Sequence, residues 1–246
     1  MTKQALYVAP SGWLNSAVGV LKDAGVIVVA PVETESGVVE LESADSLEVI
    51  TPPDGTAHMS LKRLFLPVTE VLLEFEKGEN GDVDVHSEPL PASDEVVVIG
   101  CRPCDAASLE ALDKVFQWDY DDLRYRARRE RTTLISFACT KAAPECFCTS
   151  VGGSPHDTRQ SDVLVFPDDG GGVLLQVLST KGEKFIERLG DLVTPTSAEK
   201  QPPPAPELST KFDPQKVKCW LDGNFESDFW ARNSMGCLGC GACSCF

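Results

Sequence analysis

Two short apolar runs, 95–100 (EVVVIG) and 133–138 (TLISFA), each end by delivering cysteines. Cys101 and Cys104 follow the first, Cys139 follows the second, and Cys146 and Cys148 close the stretch. Apolar runs of this length bounded by turn residues read as buried strands. Open sheets of alternating strands and helices gather their sites at the carboxyl ends of the strands. Cysteine groups leaving two such ends can therefore meet at one edge. Four thiolates collected there would hold an iron–sulfur cluster or a zinc ion. Five cysteines compete for those four places.

The second cysteine group closes the sequence. Cys237, Cys240 and Cys243 are spaced C-x2-C-x2-C, the opening of the bacterial ferredoxin run. That spacing aims three sulfurs from one tight turn at neighbouring corners of a small cluster. Gly239 and Gly241 permit the left-handed backbone the turn requires. The alternative is a zinc knuckle, although zinc sites more often pair two distant C-x2-C units. The fourth cysteine and proline of the ferredoxin run are missing, so Cys245 or Cys219 would complete the set, or the polypeptide continues.

Composition narrows the class. A net charge of −16 argues against nucleic acid and against an anionic membrane surface. No apolar run approaches the ~20 residues that span a bilayer. The first residues, MTKQALYVAP, lack the charged and apolar regions of a signal peptide. The expectation is a cytoplasmic protein whose 10 cysteines stay reduced, where clustered thiols bind metal more often than they pair.

Along the chain, strands are expected at 5–8 and 26–31, with a helix over 14–23 between them. A loose exposed hairpin is expected over 37–41 and 47–50, and a turn at 52–55. Over 60–77 the apolar positions Leu64, Phe65, Leu66, Val71, Leu72 and Phe75 suggest a helical stripe broken at Pro67, followed by a turn at 77–81. Asp105 is expected to cap a helix running past Leu109, Leu112 and Val115. An arginine-rich helix is expected over 121–130. A hairpin joins 163–167 to 173–178 across DDGGG, and a last short helix covers 185–189. Five prolines between 195 and 206 mark an extended linker.

Arg124, Arg126, Arg128, Arg129 and Arg131 lie between the two halves of the central cysteine group. They would offset a negative thiolate-bound cluster, or simply form a solvated helix face. His58, His86 and His156 share no motif and read as surface or loop residues. No phosphate-binding loop and no G-x-G-x-x-G occurs.

The residues GCRPCDAASLEALDKVF, Tyr125 with RRERT, and CTKAAPECFCTSVGG resemble a family of iron–sulfur subunits. It includes the beta subunit of cytosolic sulfhydrogenase-type nickel–iron hydrogenases and the A subunit of anaerobic sulfite reductase. Related subunits serve flavin-containing complexes linked to heterodisulfide reductase. SLKRLFLPVTEVLLEF, VIVVAPVE and the CLGCGAC tail are also similar, so the likeness covers most of the chain in order. By position it implies Cys104, Cys139, Cys146 and Cys148 as one ligand set, with Cys101 as the spare. It implies Cys237, Cys240 and Cys243 in a ferredoxin-like part, and Cys245–Phe246 is similar to a later cysteine–phenylalanine pair of that part.

The resulting expectation is an α/β or α+β chain: a mixed-sheet domain over 1–193, a Pro-rich linker over 194–214, and a ferredoxin-like [4Fe–4S] segment over 215–246. It would hold two [4Fe–4S] clusters, or three if the tail continues. It would relay electrons between a flavin-containing subunit and a catalytic oxidoreductase subunit of hydrogenase, sulfite reductase or heterodisulfide reductase type, in a hetero-oligomer. The rivals are a structural zinc module and a thiol–disulfide oxidoreductase using Cys101/Cys104 or Cys146/Cys148.

Overall fold

Val96–Cys101 is buried at every position, as a strand covered on both faces must be. In the computed structural model it is the sixth strand of the chain. The structure describes residues 5–44, 57, 59–78, 80–87, 94–168, 170–196 and 200–239. In chain order the elements are β1 (Leu6–Ala9), α1 (Trp13–Asp23), β2 (Ile27–Glu33), β3 (Val39–Ser43), a 3-10 turn (Leu61–Leu64), β4 (Leu73–Lys77) and β5 (Val83–Ser87). There follow β6 (Val96–Cys101), α2 (Pro103–Phe116), α3 (Leu123–Arg131), β7 (Thr132–Phe137), a 3-10 turn (Cys148–Val151), β8 (Val163–Pro167) and β9 (Val173–Val177). α4 (Thr180–Leu189), β10 (Thr194–Pro195), α5 (Pro214–Gly223) and α6 (Asp228–Ser234) complete the chain.

Eight strands form one mixed sheet in the order β10-β1-β9-β8-β7-β6-β2-β3. The centre, β2, β6, β7 and β8, is parallel, and the flanking pairs are antiparallel. Alternation along β6 divides the core. Val97 and Ile99 pack with Leu14, Val18 and Leu21 of α1 and Phe185 and Ile186 of α4. Val96 and Val98 pack with Leu61, Phe65, Ala106, Leu109 and Tyr125 on the opposite face. Helices on both faces of a mixed sheet with a parallel centre make the chain mixed α/β. Among the described residues no helix is long and apolar enough to cross a membrane.

The strand and hairpin expectations at 5–8, 26–31, 95–100, 133–138 and 163–178 match observed elements. The stripe over 60–77 does not. Only a 3-10 turn forms at Leu61–Leu64, and Leu73–Lys77 is a strand paired with Val83–Ser87. Leu73-Glu74-Phe75-Glu76 alternates with period two, and Pro67 forbids continuation of a helix from the turn. The turn joining β4 and β5 does form, with Gly78 N–H donating to Asp82 O at 2.8 Å. β3 pairs with β2, while 45–56 lies outside the described residues.

Asp105 is not the cap of α2. Arg102 holds that position with extended φ and ψ of −82° and 149°, and Pro103 supplies the first helical residue. Asp105 instead accepts from the Ser60 hydroxyl and from Leu61 N–H at 2.8 Å, tying the 3-10 turn to α2. The helix expected at 185–189 is the second half of α4, and α5 and α6 follow it in the chain.

Candidate functional site

β6 ends in a bulge that separates two cysteines with the same local motif but different fates. Gly100 has φ +93°, and a Cβ there would lie 2.6 Å from Pro31 Cγ. The register with β7 shifts between Ile99 and Cys101. Cys101 therefore points into the core, 2% exposed, with its sulfur 3.2 Å from Ser136 Oγ and 3.7 Å from Ile135 O. Burial drives its thiol up to about 12. Cys104, three residues on, sits in the first turn of α2 and opens onto a cleft.

β7 delivers Cys139 to the same cleft. The loop beyond it folds back, with Cys139 N–H donating to Pro155 O at 3.2 Å. Cys146 and Cys148 follow, and Ala143 N–H donates to Cys146 Sγ at 3.3 Å. Gly153 closes this loop by donating to Cys148 O at 2.9 Å. A Cβ at Gly153 would lie 3.0 Å from Asp157 Oδ2 and 3.2 Å from both Cys148 O and Arg159 Nη2, so a side chain there would have to push its neighbours aside.

The cleft measures about 800 Å³, and its walls include Cys101, Cys104, Cys139, Cys146, Cys148 and Arg102. Cys104 lies in the fields of Cys139 and Cys148, and Cys139 in those of Cys146 and Cys148. Burial, then Cys139, Asp105 and Cys148, push Cys104 up to about 11 against the opposing pull of Arg102. Burial likewise raises Cys139, with Cys146 and Cys148 adding to it and Arg102 opposing. Raised thiols are the reverse of what a thiol–disulfide nucleophile needs. All described cysteines are free thiols. Among the described residues no three His, Cys, Asp or Glu side chains converge tightly enough to hold a single metal ion. A multi-iron cube spreads its thiolates over separate irons and suits a wider set of sulfurs than one tetrahedral ion does.

The arginine run faces elsewhere. Arg124 and Arg128 both grip Glu70, the former at 2.9 Å. Arg129 pairs with Asp113 at 2.9 Å and reaches Gln160 at 2.7 Å, while Arg126 pairs with Asp121. Arg129 thus ties α3 to α2, and Arg124 and Arg128 tie α3 to the segment at Glu70. The cations lining the cleft are Arg102, inside the CRPC motif, Arg159, Lys62, Lys114 and Lys141. His156, expected on the surface or in a loop, lies in a turn with Nε2 3.2 Å from Cys139 O and its ring edge-on to Phe166 at 5.0 Å. Burial lowers its pKa, so the neutral ring braces the Cys139 turn.

The Pro-rich linker lies on the cysteine loop. Lys211 and Phe212 N–H groups donate to Ser150 Oγ at 2.8 and 3.4 Å, Lys211 Nζ reaches Pro144 O, and Phe212 packs on Phe147 at 5.8 Å. Leu208 lines the cleft itself. Beyond the linker, Cys219 and Cys237 are exposed. Gly239 has φ +66° and donates to Cys237 Sγ at 3.4 Å. Cys240, Cys243 and Cys245 lie outside the described residues.

Fold and site describe an α/β chain that presents four thiols at the carboxyl ends of the parallel strands central to a mixed sheet. No known protein-family model matches it. Sulfhydrogenase 2 subunit beta of Pyrococcus furiosus is 26% identical to it over 215 residues, covering 82% of this chain and 57% of that protein. That likeness agrees with the resemblance carried by the motifs. The chain spans about 57% of the length of this curated relative.

Proposed function

We propose that the chain is an iron–sulfur electron-transfer subunit of a multisubunit oxidoreductase. The observation that carries this reading is the convergence of Cys104, Cys139, Cys146 and Cys148 on one cleft, from a helix N-terminus, a strand end and a loop. The likeness to a hydrogenase beta subunit supports it. A [4Fe–4S] cluster bound by those four thiolates would supply one-electron capacity. Arg102 offsets the thiolate charge, the Ala143 amide donates to Cys146, and the linker covers the loop. The thiols must lose their protons on binding, so raised thiols make loading weaken as pH falls.

In this reading 1–193 carries the first cluster. Residues 215–246 carry a ferredoxin-like one on Cys237, Cys240, Cys243 and Cys245, with 194–214 between them. A flavin-containing subunit and a catalytic subunit stand on either side of the relay, in the cytoplasm. Anaerobically purified protein should be brown and contain iron and acid-labile sulfide, with two reducible signals by electron paramagnetic resonance. Cys139→Ser should remove one signal and leave the other. A colourless protein with stoichiometric zinc ends the reading in favour of a structural zinc module.

A further inference from the structure

β4 and β5 form a two-stranded sheet separate from the main one, and among the described residues neither strand contributes to a core cluster. A lone hairpin is marginal in water. Its register sorts the side chains sharply: Phe75 pairs with Val85 and Lys77 with Val83, so Leu73, Phe75, Val83 and Val85 share one face. They are 53%, 69%, 55% and 62% exposed. The other face carries Glu74 opposite His86 and Glu76 opposite Asp84. Like charges directly across a ladder destabilise it. No cation among the described residues forms a salt bridge with Glu74, Glu76 or Asp84. The root of the hairpin, by contrast, is fixed, because Glu70 is held by Arg124 and the buried Arg128 of α3.

We infer that this hairpin is a docking arm for another subunit of the complex, and that it enters an apolar groove whose walls carry Lys or Arg. The inference rests on the subunit reading above and adds the surface and its chemistry. The apolar face requires a cover, and the facing carboxylates require cations that no described residue supplies. A second copy does not answer the charge requirement, since it brings the same acidic face and the same net charge of −16. Size points the same way. A standard interface takes about 20–30 residues a side, so a hairpin this short is one anchor within a larger contact and not a self-sufficient dimer.

The test uses the complex isolated through a tag on the full-length chain. With p-benzoyl-phenylalanine in place of Phe75, irradiation should crosslink to a cofactor-bearing oxidoreductase subunit, within a segment that mixes apolar residues with Lys or Arg. The exposed pair Phe75→Asp/Val85→Asp should lower recovery of that subunit at least tenfold. Glu76→Lys/Asp84→Lys should lower it as well, while iron content and melting temperature of this chain stay unchanged. Crosslinks confined to this chain or to a second copy overturn the arm, as does undiminished recovery in the variants. Absence of any co-purifying subunit with the unaltered chain removes the subunit reading, and the arm falls with it.

Discussion

Cys101 and Cys104 share one motif, yet the bulge at Gly100 sends the first into the core and the second into the cleft. Their substitutions should separate accordingly. Cys104→Ser should lose the iron and sulfide of one centre while the metal-free chain keeps its urea midpoint. Cys101→Ala should keep the iron and cost about 1 kcal/mol of stability, since it removes one buried sulfur. The two should also differ in alkali. Cys101 ionises near 9 when unfolded and near 12 when folded. The stability from keeping that thiol neutral is complete below pH 9 and is lost as pH rises toward 12. Metal-free Cys101→Ala should therefore show a flatter decline than the parent in urea midpoints between pH 9 and 11; parallel curves would refute the burial. From the sequence, the two runs and their cysteines were legible because strand period and thiol chemistry are local. Which of the five thiols was spare followed from family likeness alone, because the bulge that decides it depends on Pro31, far away in sequence.

At the level of elements, packing over long separations is what the sequence concealed. The arginine helix reads equally as a counter-charge or a solvated face, and only the fold brings Glu70 and Asp113 against it. The stripe over 60–77 misled because apolar spacing in a short run fits both periods, and Pro67 with the Leu-Glu-Phe-Glu alternation decided for a strand. The Pro-rich composition of 195–206 was legible, but the docking of the segment after it was not: Ser150 and Lys211 are 61 residues apart. Ser150 is buried and accepts two linker amides. Ser150→Ala should weaken that attachment by roughly 1 kcal/mol, a factor of roughly 5 in the population of the lifted linker. Limited proteolysis should then cut within 200–213 several-fold faster, because cleavage follows the open population. An unchanged rate would show that the Phe147–Phe212 contact holds the linker without Ser150.

The whole molecule carries two opposing electrostatic effects, and salt can separate them. A net charge of −16 repels itself in the folded state, and that repulsion acts over distances that salt screens, about 10 Å at 0.1 M. Short pairs pull the other way. The Arg188 fork holds Glu95 below its usual range despite burial. For Glu70, Asp113 and Asp157 burial is the largest influence and would raise them, but their arginine partners outweigh it and hold them low. Carboxylates depressed in this way stabilise the fold above their unfolded values, 4.5 for Glu and 3.8 for Asp. That contribution is lost as pH falls through and below those values, because the unfolded chain then binds more protons. In about 0.02 M salt the melting temperature should first rise as pH drops from 7.5 toward 5 and repulsion eases, and then fall. In about 0.5 M salt the rise should vanish while the fall below pH 4.5 remains, since close pairs are screened far less. A melting temperature that kept climbing through pH 4 in high salt would mean that these arginine forks contribute nothing to the fold, and that bulk charge alone governs its response to acid.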